Sequence, residues 1–188
     1  MSRRLILIIV FAVVAVIQLA VPLSMIVKRE IALRDGVAYK FRTEPVDPSD
    51  AFRGRYVALR IEAAAFSATN TSEFENSERV YARLDTDTNG FAHIMQVTRD
   101  RPANGDYIKT HVQYAYGGHL TLECPFDRYY LPEQIAPEAE RAYRGHNTRT
   151  NRDSYVVVRV RSGFAVLEDL ILDGQPIKDF VREHSKKP

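Results

Sequence analysis

The chain has 188 residues, with 26 Lys and Arg against 24 Asp and Glu, and a single cysteine, Cys124. That length holds one ordinary domain with a real core and no catalytic pair of domains, and the lone cysteine permits no internal disulfide. All 24 acids follow Val27 and only Arg3 and Arg4 of the basic residues precede it. The remainder is therefore formally neutral and lacks the basic stripe that nucleic-acid binding requires, so no nucleic-acid partner is expected.

The first element is the run Leu5 to Val27, twenty-three residues without a charge in which only Gln18 and Ser24 are polar. A hydrocarbon core about 30 Å thick needs about 20 residues at a helical rise of 1.5 Å, so the run predicts a transmembrane helix. A cleavable signal peptide would have a shorter apolar centre followed by a small-residue cleavage site, whereas here Ala20 is followed by Val21-Pro22-Leu23-Ser24. An uncleaved anchor is the expectation. Pro22 removes one backbone donor and can kink the helix near Gln18. Residues 1–30 are thus read as tail and anchor, and residues 31–188 as one domain. Arg3 and Arg4 nearly balance Lys28, Arg29 and Arg34 across the apolar run, so flanking charge does not orient it. The short amino tail favours leaving that tail in the cytoplasm and the domain outside.

Beyond the anchor, period-two alternation dominates. Val37, Tyr39 and Phe41 share one face; Val57, Leu59 and Ile61 oppose Tyr56 and Arg60; Val80 to Leu84, Phe91 to Val97, Tyr107 to Ala115 and Leu120 to Glu123 follow suit. Tyr155 to Val160, the turn Arg161-Ser162-Gly163 and Phe164 to Leu172 predict a hairpin, followed by the turn Asp173-Gly174. One short helix of about two turns is predicted from Pro137 at its start, Glu138 and Glu140 early, Arg141 and Arg144 late and Gly145 just after. The fold expected is mainly β: an N-terminal transmembrane helix and one antiparallel β-sandwich or small barrel with one short helix.

Several chemistry-bearing patterns resolve into structural ones. Asp85-Thr86-Asp87-Thr88-Asn89-Gly90 opens like a calcium loop, but Gln96 stands where a bidentate acid is needed and strands flank it. Asn89-Gly90 between alternating segments instead predicts a tight hairpin. The histidines His93, His111, His119, His146 and His184 form no i, i+2 or i, i+4 pair, and Cys124 has no C-x-x-C companion. No G-x-S-x-G elbow or phosphate loop occurs. The expectation is a protein without metal or cofactor that is not an enzyme, with Cys124 a buried inert thiol.

The segment Glu44 to Leu59 is the most distinctive. Pro45 and Pro48 make it a rigid connector, Ser49 or Asp50 can cap a single turn, and Gly54 can supply positive φ where the chain swings into a strand. Its other use is recognition, through Asp47, Asp50, Arg53, Arg55 and Tyr56. Arg128, Tyr129 and Tyr130 complete the expected contact surface, because Arg and Tyr dominate binding hot spots. An alternative is a small-ligand domain of the cell envelope whose Tyr107, Tyr114, Tyr116, Tyr129 and Tyr130 line a barrel mouth.

Pro45-Val46-Asp47-Pro48 followed by Phe52-Arg53-Gly54-Arg55-Tyr56-Val57-Ala58-Leu59 resembles the defining motif of the GDYXXLXY family of bacterial membrane-anchored proteins. Arg128 to Glu133, Glu138, Glu140 and Leu170 to Gly174 resemble that family's downstream segments. Arg55 and Ile61 depart from the name motif, standing where it has an aspartate and a final tyrosine. The resemblance implies a single-pass protein of the bacterial cytoplasmic (inner) membrane with an extracytoplasmic domain, encoded with or fused to multi-helix membrane proteins. The lipid bilayer and a multi-helix integral membrane protein are then the expected partners, and an accessory interaction domain the expected role. The same run weakly resembles the nucleophile box of type I signal peptidases, but Val46 occupies the nucleophile's place.

Overall fold

The computed structural model describes residues 3–44, 56–67, 74–148 and 153–184. α1 (Arg3–Asp35) is one continuous helix of 33 residues, about 50 Å long at 1.5 Å per residue. It is long and apolar enough to cross a membrane, and its most apolar window has no buried residue. The helix runs unbroken through Pro22, and Ser24 Oγ donates to the Val21 carbonyl at 2.7 Å. It also continues past residue 30, where the sequence placed the end of the anchor segment.

The rest is mainly β, as alternation predicted. β1 (Val37–Glu44), β2 (Tyr56–Ala58), β3 (Arg60–Ile61) and β4 (Ala65–Ser67) come first, with one 3-10 turn between the last two. β5 (Arg79–Thr86), β6 (Ala92–Thr98), β7 (Tyr107–Tyr116), β8 (His119–Leu122) and β9 (Arg128–Tyr130) follow. Then come α2 (Ala136–His146), β10 (Ser154–Arg161), β11 (Phe164–Leu172), β12 (Gln175–Pro176) and α3 (Ile177–His184). The strands form two five-stranded sheets, β12-β11-β10-β1-β3 and β4-β8-β7-β5-β6, and a separate β2-β9 ribbon. Parallel bridges Lys40 to Phe91 and Ile108 to Gly163 stitch the two large sheets together into a partly closed, barrel-like arrangement.

The Asn89-Gly90 hairpin forms as predicted. Gly90 adopts φ +79°, and the Asp87 carboxylate accepts the Asn89 and Phe91 amides at 2.8 Å each. Those amides, Phe91 first, hold that carboxyl below its usual range, and Arg42 pairs with it at 3.3 Å. Asp87 is thus consumed by the turn. Among the described residues no group of three His, Cys, Asp or Glu could hold a metal ion.

Two features go beyond the sequence reading. Val57 to Ile61, read as one strand, is two: β2 pairs with β9, β3 pairs with β1, and Leu59 sits between them with its amide on the Asp127 carbonyl at 2.8 Å. The chain changes sheets at that residue. There is also a second short helix, α3, which buries Ile177, Phe180 and Val181 against the domain. α2 runs 11 residues, through Gly145, and buries Ala136, Ala139 and Tyr143.

The principal core lies between the sheets, with Phe41, Val156, Val158, Leu170, Leu172 and Ile177 almost without exposure. A smaller cluster of Val80, Ala82, Val112, Leu120 and Leu122 covers one end of the second sheet. Two buried hydroxyls satisfy each other where β1 meets β10, Thr43 Oγ1 and Ser154 Oγ lying 2.7 Å apart.

Candidate interaction site

The β2-β9 ribbon sets Tyr56 directly across from Tyr130, Val57 across from Tyr129 and Ala58 across from Arg128. Because side chains alternate along a strand, these pairs divide between two faces. Val57 and Tyr129 turn inward and are buried. Tyr56, Arg128 and Tyr130 turn outward together: the two rings lie 5.7 Å apart between centroids, and the Arg128 guanidinium sits 5.4 Å from the centre of the Tyr56 ring. Tyr130 is 65% exposed. Hydrogen bonding to Tyr130, with Asp127 nearby, raises the Arg128 pKa, and Asp127 pairs with the guanidinium at 3.7 Å, partly balancing its charge. An exposed cation stacked on an aromatic face contributes about 0.5–1 kcal/mol, enough to order the side chain without removing it from solvent.

Tyr129 therefore departs from the surface role expected for it. Tyr129 is 5% exposed, its hydroxyl donates to Asp169 Oδ1 at 2.6 Å, and the Leu170 amide reaches the same oxygen at 2.9 Å. Burial first, then Asp169, pushes its phenol well above the usual range. The register slips between Val157 and Val158, leaving Glu168 as the extra residue of β11, and Asp169 follows it. Tyr129 thus clamps the ribbon onto β11 and holds its two neighbours facing out.

Asp47, Asp50, Arg53 and Arg55 lie outside the described residues. Both ends of the connector that carries them are fixed. Glu44 pairs with Arg60, and its carbonyl accepts Asn147 Nδ2 at 2.7 Å, while Tyr56 enters the ribbon. The structure hence brings Tyr56, Arg128 and Tyr130 to one patch at the point where the connector returns to the fold.

The tyrosines proposed to line a barrel mouth do not converge. Tyr107 and Tyr129 are buried, while Tyr114 and Tyr116 are 54% and 73% exposed on β7. The apolar space beside Phe41, Ile61, Ile108, Cys124 and Phe126 measures about 20 Å³, room for about one water. Burial, followed by Asp127 and Glu123, pushes the Cys124 thiol there up to about 12. His146 and His184 both pack on Phe180, at centroid distances of 4.9 and 4.1 Å.

A mainly β domain led by one long helix whose apolar run is exposed, with an aromatic and arginine patch on a two-stranded ribbon, is the class of protein defined here. The chain belongs to the GDYXXLXY family, whose model matches residues 18–170. No curated protein and no solved structure matches it. The geometry gives the family's name motif, which falls on Gly54 to Ile61, a physical sense: Tyr56 is the outward residue of the ribbon, Leu59 is the buried pivot between two sheets, and Ile61 is 3% exposed in β3.

Proposed function

We propose that the chain is a membrane-anchored interaction domain without enzymatic activity, an accessory subunit of a larger integral membrane protein in the bacterial cytoplasmic membrane. α1 is its single transmembrane anchor and the domain stands outside the cytoplasm. The observation that carries this reading is the outward cluster of Tyr56, Arg128 and Tyr130, which combines the residue types most enriched at binding hot spots with a rigid backing from Tyr129. The protonated state of Cys124 supports a binding role over one in which that thiol is a nucleophile.

The test is capture from native membranes with a tag at the carboxyl end and a photo-reactive phenylalanine analogue at position 130. The expected result is one membrane protein crosslinked in stoichiometric amount. With the photo-reactive residue kept at position 130, replacing Arg128 by Ala should reduce that capture about tenfold or more, the size of a hot-spot loss, while changing stability by no more than about 1 kcal/mol, the size of the cation–aromatic contact removed. Recovery of the chain alone from mild detergent, with no crosslinked partner, overturns the proposal. Protease added to intact spheroplasts should degrade the domain; protection would reverse the orientation.

A further inference from the structure

We infer that the turn between β10 and β11 is a second membrane contact, so that the domain is braced on the lipid surface at two points rather than suspended from a tether. The inference rests on the reading of α1 as an anchor. Lys28 is the first charge after the apolar run, which places its backbone at the hydrocarbon boundary and its ammonium among the headgroups. That ammonium lies 4.4 Å from the centre of the Phe164 ring, the first residue of β11. The headgroup layer of one leaflet is only about 5–8 Å thick, so Phe164 lies within it.

The joint that holds the turn there is stiff. α1 continues without a break for about 12 Å beyond Val27, and Ala32 is 2% exposed where it packs on the domain. Gly36 ends the helix with its amide on the Ala32 carbonyl at 2.9 Å, at a place where a Cβ would overlap that oxygen. Arg159 donates to the Gly36 carbonyl at 3.2 Å, and Arg161 pairs with Asp35 at 3.4 Å. These contacts fix the hairpin to the end of the helix, about 10–12 Å along the axis from Lys28, and Phe164 reaches back from there to the Lys28 ammonium.

The surface around the turn suits lipid phosphate. Lys109 packs against Gly163 through its Cγ, and its amide donates to the Gly163 carbonyl at 2.9 Å. Arg101 lies over the Tyr107 ring, which sits directly beneath Gly163. Lys28 thus stands over the partly exposed Phe164, Lys109 and Arg101 flank the turn through Gly163 and Tyr107, and Arg161, paired with Asp35, precedes the exposed Ser162. Cations beside an aromatic match the phosphate-bearing, half-apolar interfacial layer that α1 passes through.

The chain has no tryptophan, so an introduced one reports alone. The full-length protein in mixed phosphatidylcholine and phosphatidylglycerol vesicles would carry Leu19→Trp, Phe164→Trp, Ser162→Trp or Gln175→Trp in turn. Lipids brominated near the headgroup end of the acyl chain serve as quenchers for positions 162, 164 and 175, and lipids brominated near the chain terminus for position 19, which lies about 12 Å inside Val27. Gln175 pairs with Leu172, eight residues along β11 from Phe164, which is about 26 Å from the turn. Quenching at positions 164 and 162 at least about twofold stronger than at 175 is expected for a turn in the headgroup layer. Quenching at 19 but at neither 164 nor 162 overturns the inference and leaves the anchor intact, as does equal quenching at 164 and 175. Absence of quenching at 19 removes the anchor, and this contact with it.

Discussion

Gly163 and Gly90 share nearly the same φ, +81° and +79°, but differ in what surrounds them. A Cβ at position 90 meets nothing within 4 Å, whereas one at 163 would overlap Tyr107 Cε2 and lie 2.9 Å from Lys109 Cγ. Gly90→Ala should therefore cost only the left-handed strain, about 1 kcal/mol. Gly163→Ala should add the cost of overpacking against a buried ring, for a total of about 3 kcal/mol. At about 3 °C per kcal/mol for a domain this size, the expected drops in Tm are about 3 °C and about 9 °C. Thermal unfolding of the full-length protein in detergent, followed by near-ultraviolet circular dichroism of the tyrosines, measures both. Equal drops would refute the argument, because they would mean that Tyr107 yields to the methyl group at no cost.

Alkaline stability supplies a second test. Burial raises Tyr39 and Tyr143 to about 12 and moves Tyr129 in the same direction. The folded state prefers all three phenols protonated, so their contribution is complete below the unfolded value near 10 and is lost as pH climbs from there through about 12. Urea midpoints measured from pH 8 to 12 should fall above pH 10. Tyr129→Phe should flatten part of that fall and, by leaving Asp169 with only the Leu170 amide, cost about 1.5 kcal/mol at neutral pH. Asn147→Ala should cost about 1–3 kcal/mol in the same assay, since it strips the Glu44 carbonyl and the Tyr143 hydroxyl of their 2.7 Å donor. Cys124, raised to about 12, should alkylate with iodoacetamide at pH 8 at least about 100-fold more slowly in the native protein than in urea; a native rate close to the unfolded one would contradict its burial.

The strands were legible because each presents one face to a core, and alternation records that directly: Val156, Val158 and Val160 all vanish inward. Asn89-Gly90 was legible because positive φ restricts residue choice. α2 announced itself through Pro137 and its charges, yet ran a turn longer because Tyr143 and Asn147 hold its end. α3 escaped notice although Ile177, Phe180 and Val181 have helical spacing. Eight residues behind Pro176 cannot form a helix on intrinsic preference, and docking supplies the rest. The break at Leu59 was invisible because both halves keep the same alternation while pairing with different partners.

Of the surface expected from sequence, Tyr56, Arg128 and Tyr130 meet, while Tyr129 is turned inward. Residue types could nominate Arg128-Tyr129-Tyr130 as a unit, but the parity of the strand separates the middle residue from its neighbours, and that parity is set by pairing with β2. The sequence alone determined the anchor-like helix, the neutral β-rich domain and the tight turns, since each depends on hydrophobicity or φ preference within a short window. Tertiary structure alone decided the position of the ribbon, the docking of the helix end on the β10-β11 hairpin and the choice of exposed aromatics, since those depend on contacts between residues more than 70 positions apart, such as Tyr56 with Tyr130 and Lys28 with Phe164.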